Sequence, residues 1–258
     1  MRGGAPLILN IIKVQDNFME KRLQKFISEE GVMSRRAAEE EIKRGNVTVN
    51  GIRAVIGQKI DDSKDVVEYL GKRIGNGKKK HIYIMLNTPA GFVTTMSDEQ
   101  GRPCVAELVA DVGARVYPIG RLDMESEGLL LFTNDGELAN KLMHPRYHKP
   151  KVYHVKIRGR VEPEKITALS RPMKIDDYIT KPANVSVVTM KDDFTVLAIE
   201  LFEGRNRQIR KMCESLELKI ITLRRVSMGS VKLGDLRPGR WRHLTKTEVA
   251  ALSAQEGN

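Results

Sequence analysis

Three stretches of the 258-residue sequence combine residue types that could do chemistry. In GRLDMESEGLLLFTNDGEL, residues 120–138, a turn glycine is followed by Arg121 and Asp123. Two residues apart in extended chain, a guanidinium and a carboxylate face the same way. In EGRNRQIRKMCE, residues 203–214, Arg205, Arg207 and Arg210 crowd a loop and the first turns of a helix. Arg207, Arg210 and Lys211 stand at i, i+3 and i+4, so the spacing predicts one shared helical face. The positive end of a helix dipole disfavours cations, and no acid appears before Glu214. Local helix stability therefore does not account for these charges, whereas phosphates or a buried carboxylate would. In KVYHVKI, residues 151–157, Lys151, Tyr153 and Val155 share one face of a strand. The plainer alternatives are a surface ion pair in the first stretch and an ordinary sheet tyrosine in the third.

Other chemistries lack their residues. His144 and His148 have the spacing of a metal pair, but Pro145 follows directly and no convincing third ligand is near in sequence, so no metal is expected. No G-x-G-x-x-G opens a helix and no G-x-S-x-G elbow occurs, which leaves a nucleotide cofactor and serine hydrolysis without support. Cys104 and Cys213 form neither a disulfide framework nor a zinc set and fit a reducing cytoplasm. No apolar run reaches the ~18 residues of a membrane span. Aromatic residues are 5% of the chain, too few for a generic stacking platform on single strands.

The net charge of +11 points to a polyanion such as nucleic acid, and its distribution is uneven. Residues 19–80 carry +5, residues 81–203 carry −2, and residues 204–243 carry +8.

The elements that must hold these residues suggest an α+β protein in two parts. Residues 1–18 read as a disordered extension, and Met19 could be the natural start. Residues 19–72 form a small module. A helix over Arg22–Glu30 ends at Gly31, and Ser34 caps a second helix that stops at Gly45. A Val47–Val49 strand enters an Asn50–Gly51 hairpin, and a further strand pair joins Ile60 to Asp65–Tyr69. GKRIGNGKKK, residues 71–80, reads as linker, assigned to 73–80. From 81 to 250 many strands alternate irregularly with helices, including strands at His81–Leu86, Phe92–Thr95, Leu129–Phe132 and Val152–Ile157 and a helix over Arg207–Leu216. That pattern predicts a mixed, mostly antiparallel sheet flanked by helices, with residues 251–258 as a tail.

Taken in order, the three motifs resemble those of the RsuA/RluB/RluE/RluF group of ribosomal RNA pseudouridine synthases. GRLDMESEGLL is similar to the group's G-R-L-D-x-x-[ST]-x-G-L-[LI], KVYHVKI to its K-x-Y-x-V, and EGRNRQIRKM to its [EQ]-G-x-N-R-Q-[IV]-R-[RK]-M. MLNTPAGFVTT, residues 85–95, resembles the L-N-K-P-x-G-x-[VI]-[ST]-T opening, with Thr88 where the group has lysine. Residues 20–72 resemble the S-four-type RNA-binding domain. The resemblance covers roughly residues 20–248 and implies an isomerase that detaches uracil from its ribose, rotates it and rejoins it through carbon 5, without cofactor or metal.

The resemblance assigns the catalytic carboxylate to Asp123, whose attack on base or sugar stays open. It assigns its cationic partner to Arg210, since a buried aspartate protonates unless a cation faces it. Tyr153 would stack on the target base and take part in proton removal, and Arg121 would fill the space the flipped base vacates. Arg205, Arg207 and Lys211 are expected on RNA, as are Arg22, Ser34, Arg35, Arg36, Lys43, Arg44 and Asn50 of the module. The implied partner is a stem-loop of ribosomal RNA, large-subunit (23S) preferred over small-subunit, engaged by a monomer. Two alternatives remain: a non-catalytic ribosome-assembly factor on the same fold, which Thr88 alone favours, and a nuclease using Asp123, Glu125 and Glu127 to hold metal ions.

Overall fold

The computed structural model describes residues 20–75, 80–144 and 149–254. The extension at 1–18, residues 76–79 of the expected linker, His148 of the histidine pair, and residues 255–258 lie outside them. The chain divides into two compact units, the boundary falling between residues 79 and 80. No helix among the described residues is long and apolar enough to cross a membrane.

The first unit begins with strand β1 (Lys21–Arg22) and helix α1 (Leu23–Glu29), which buries Leu23, Phe26 and Ile27. Ser34 caps helix α2 (Arg35–Arg44), its hydroxyl accepting from the Ala37 amide at 3.1 Å, and Gly45 ends it at φ 83°. Strands β2 (Val47–Val49) and β3 (Ile52–Arg53) join through Asn50 and Gly51, both left-handed, as a tight hairpin requires. Strand β4 (Lys59–Ile60) pairs with β1, not with 65–69 as the sequence suggested. Strand β5 (Val67–Tyr69) instead pairs with β2 and with β6 (Lys72–Ile74). The module thus continues into the expected linker, and Ile74 is buried in its core. The connecting turn is Leu70–Gly71, with φ of 49° and 74°. Leucine is a poor left-handed residue, so its sequence carries no turn signal.

The second unit is built on one nine-stranded sheet. Its elements are β7 (Tyr83–Thr88), a 3₁₀ turn (Glu107–Val112), β8 (Tyr117–Ile119), β9 (Glu127–Thr133) and α3 (Gly136–Met143). There follow β10 (Lys151–Arg158), α4 (Pro163–Ser170), a hairpin of β11 (Lys174–Ile175) and β12 (Tyr178–Ile179), β13 (Asn184–Met190) and β14 (Phe194–Leu201). The chain ends with α5 (Gln208–Glu214), β15 (Ile220–Met228), β16 (Val231–Lys232), β17 (Trp241–His243) and α6 (Lys246–Ser253). The sheet order is β13-β14-β10-β15-β9-β7-β17, with β16 on β15 and β8 on β9. Among the described strand pairs only β15 and β9 run parallel.

β9 shows why the sheet is covered on both faces. Leu129 to Phe132 are all fully buried, a continuous apolar run with no alternation. Leu129 and Leu131 pack with Met85, Leu138 and Met228, while Leu130 and Phe132 pack with Ile84, Leu86 and Val109. A third core holds Val155, Ile157, Leu197 and Leu223 against Ile209 and Met212 of α5.

Three expectations change here. Phe92–Thr95 is not a strand; only Val93 makes a bridge, to Cys104, and the chain then turns, the Thr95 amide donating back to the Val93 carbonyl at 2.9 Å. Arg207 precedes α5 in a left-handed conformation (φ 52°), so Arg207, Arg210 and Lys211 do not share one helical face. The tail assigned from 251 is partly helix. α6 runs to Ser253 with Leu252 buried, and a capping box between Thr245 and Glu248 starts it.

Candidate active site

The loop carrying Asp123 leaves β8 at Gly120 (φ 78°) and is pinned at successive backbone positions. The Thr94 hydroxyl donates to the Leu122 carbonyl at 2.8 Å and accepts from the Leu122 amide at 3.1 Å. The Gly91 amide donates to the Met124 carbonyl at 2.7 Å, and the Ser126 amide to the Asp123 carbonyl at 2.8 Å. Leu122 itself is buried. These bonds fix Asp123 from both sides through its backbone and leave its carboxylate one-third exposed at the wall of a cleft of about 900 Å³.

Gly128 sets where the loop meets the neighbouring strand. Its φ is 104°, and a Cβ there would lie 2.3 Å from the Arg225 carbonyl oxygen. Any side chain would push β9 off β15, where the two strands pair through Glu127–Arg224 and Gly128–Arg225.

Arg210, on α5, reaches across to the Asp123 loop. Its Nη2 donates to the Glu125 carbonyl at 2.8 Å and to the Ser126 hydroxyl at 3.2 Å, and Nη1 stands 3.6 Å from the Glu125 carboxylate. Its Nε faces Asp123 Oδ2 at 4.0 Å and is buried without a hydrogen-bond partner among the described residues. Arg207 joins the same carboxylate, Nη2 to Glu125 Oε2 at 3.1 Å. A left-handed non-glycine residue costs roughly 1–2 kcal/mol; at Arg207 it accompanies the turn of the chain toward Glu125.

The sheet supplies a further part of the lining. Tyr153 on β10 is half-buried and stands opposite Arg225 on β15, and both line the cleft together with Lys151. Burial and the Arg225 charge push the Lys151 ammonium down to about 8. Its Nζ donates to the Lys149 carbonyl at 3.0 Å.

The structure thus brings Asp123, Arg210 and Tyr153 to one cleft, with Arg121, Arg205 and Arg207 exposed on its lining. Arg205 lies over the Tyr178 ring at 4.8 Å. Lys211 does not join them: it is ion-paired to Asp176 in the β11–β12 turn. In the first unit Arg22, Arg35 and Arg36 are exposed. Lys43 pairs with Glu40 at 2.7 Å, Arg44 with Glu41 at 2.6 Å, and Asn50 donates to Asp65 at 2.8 Å. Thr88 is buried on β7 opposite Gly128, its hydroxyl without a partner.

Sequence reasoning missed Thr94, Glu125 and Arg225. Thr94 stood inside a recognised motif but read as strand. Glu125 was legible only as a metal-ligand candidate; among the described residues no three His, Cys, Asp or Glu side chains lie close enough to hold a metal ion. Arg225 had no sequence signal, since its place in the cleft depends on the β10–β15 register.

A cleft lined by one anchored aspartate, an arginine from α5 facing it and a sheet tyrosine, carried on this mixed sheet, defines the class. The chain belongs to the RNA pseudouridylate synthase family, whose model matches residues 82–215, and an S4 domain model matches residues 21–67. It is 39% identical to the ribosomal large subunit pseudouridine synthase B of Bacillus subtilis, over 91% of this chain and 96% of that one. It is 38% identical to the dual-specificity RNA pseudouridine synthase RluF of Escherichia coli, over 90% and 78%. A crystal structure described as a pseudouridylate synthase superposes with TM-score 0.64 at 28% identity, covering 90% of this chain and 99% of that one.

Proposed function

We propose that the chain isomerises a specific uridine in ribosomal RNA, with Asp123 as the reacting carboxylate. The observation that carries this is the Arg210 Nε, buried, without a hydrogen-bond partner among the described residues, and 4.0 Å from Asp123 Oδ2. A guanidinium held by the Glu125 carbonyl and the Ser126 hydroxyl cannot swing away, so Asp123 keeps a fixed counter-charge beside it.

The uridine leaves its stack, at a cost of a few kcal/mol, and its base enters the cleft. The bond between ribose carbon 1′ and N1 breaks, the base turns, and carbon 1′ bonds to carbon 5. The hydrogen on carbon 5 is lost and N1 gains one, so the product is an isomer and nothing is oxidised. Tyr153, which lines the same cleft as Asp123, stacks on the base and takes part in removing that hydrogen. Arg121, on the rim, enters the space the base leaves. Arg205 and Arg207 at the cleft, together with Arg22, Arg35, Arg36, Lys43 and Arg44 in the first unit, face the phosphates of a stem-loop; Ser34 and Asn50 support the helix start and the hairpin there. Large-subunit (23S) RNA is the preferred source, in line with the name of the Bacillus subtilis relative. A monomer acting in the cytoplasm suits this reading.

Release of tritium from RNA labelled at carbon 5 of uracil tests the chemistry. Wild type releases it and Asp123→Asn does not; release by the variant overturns the assignment. Mapping pseudouridines in a strain lacking the gene names the uridine.

A further inference from the structure

Arg225 is only 3% exposed, and yet among the described residues it has no carboxylate partner. Its Nε donates to the Leu129 carbonyl at 2.7 Å; its Nη2 is buried with no acceptor at all. A buried guanidinium left part-satisfied is costly and needs a reason. Its surroundings add to the cost, since Lys151, itself largely buried, repels Arg225. Lys151 also lacks a described carboxylate, its ammonium resting on the Lys149 carbonyl.

The acids of this cleft are committed elsewhere. Asp123 faces Arg210, and Glu203 accepts from the Gln208 amide at 2.7 Å and the Lys181 backbone amide at 3.0 Å. The cleft wall beside Tyr153 therefore holds two unneutralised cations on rigid strands, in register with the tyrosine. Such a wall is complementary to an anion that arrives with the substrate. RNA has one permanent anion, the phosphodiester, and a nucleotide turned out of its stack carries its flanking phosphates toward the site.

We infer that Arg225 and Lys151 form a phosphate subsite in the cleft, which holds one phosphodiester flanking the uridine presented to Asp123. The inference rests on the proposed function. It gives the two cations a positioning role: they fix the ribose of the reacting nucleotide through its phosphate and touch neither the broken nor the formed bond.

The test uses a stem-loop RNA containing the mapped uridine, with its 5′ and then its 3′ phosphate replaced by an uncharged methylphosphonate. Wild type should lose roughly ten- to a hundredfold in kcat/KM at one of the two positions, the range expected for a charged hydrogen bond. Arg225→Gln and Lys151→Gln should show a comparable loss on natural RNA and almost no further loss on the neutral linkage. Equal losses by the variants on both RNAs, or a wild type indifferent to both replacements, overturn the subsite. If Arg225→Gln proves unfolded by circular dichroism, Lys151→Gln alone carries the comparison. Isomerisation of natural RNA by wild type separates the two readings, because the subsite can then fail while the function stands; no isomerisation at all overturns both.

Discussion

The cations of the first unit and those of the catalytic cleft differ in what surrounds them. Lys43 and Arg44 are exposed, and each meets a glutamate one helical turn back. Exposed pairs of this kind are weak and give way easily to a phosphate. Arg210 and Arg225 are buried or nearly so and held by backbone carbonyls, and Arg225 has no acid to neutralise it. Summed along the sequence the two regions look alike, +5 and +8. In the fold they suit different tasks, since one set can adapt to a polyanion's contour and the other cannot move.

Breaking the cleft at its backbone should have the largest effect. Gly128→Ala puts a Cβ against the Arg225 carbonyl at a φ of 104°, and we expect about 3 kcal/mol of lost stability by urea denaturation together with lost turnover. Gly51→Ala in the exposed hairpin has open space around its Cβ and should cost only about 1 kcal/mol. Next comes Arg210→Ala, for which turnover should fall about a hundredfold while RNA affinity changes about threefold or less. Equal losses in both would place Arg210 with the phosphate-gripping cations and erase the contrast.

A smaller effect comes from pH. Lys151 is held down to about 8 in the folded chain against an ordinary 10.5. Below that value both folded and unfolded chains carry its proton, and the burial penalty is fully present. Between about 8 and 10.5 the unfolded chain binds the proton that the folded chain has released, so stability rises with pH. Lys151→Met should flatten that part of the curve; a wild-type curve already flat would mean the cleft cation is no more buried than those of the module. The smallest effect belongs to the exposed set. Arg35→Ala with Arg36→Ala should weaken RNA binding and reduce the slope of log K against log salt by roughly 0.7–0.9 for each phosphate no longer neutralised, with turnover at saturating RNA unchanged.

Much of the cleft was legible because its parts are local. GRLD and QIRKM each place a charged side chain next to its own turn, and helix caps at Ser34 and Gly45 are written in adjacent residues. What escaped depends on partners distant in sequence. The pairing of β4 with β1 crosses the whole module, and Arg225 reaches the cleft only through the β10–β15 register. The β5–β6 hairpin escaped for a different reason, as Leu70 adopts a conformation its type disfavours and tertiary packing of Ile74 overrides the local signal. The shared face expected for Lys211 fails because Arg207 precedes α5, and its ion-pair partner, Asp176, lies in a two-strand hairpin with no clear periodicity.

The parallel pairing of β9 with β15 has a genetic consequence. Asp123 belongs to the half of the sheet that contains β7, β8 and β9, while Tyr153 and Arg225 belong to the other half, against which the helix of Arg210 packs, and two residue pairs stitch the strands together. After β15 the chain returns to the first half, where β17 pairs with β7 and Leu252 packs beside Leu129 and Leu138. A premature stop just beyond Met228 would leave every proposed site residue encoded. It would nonetheless behave as a null allele, because the returning segment ties the carboxylate's half of the sheet to the half that holds its counter-charge.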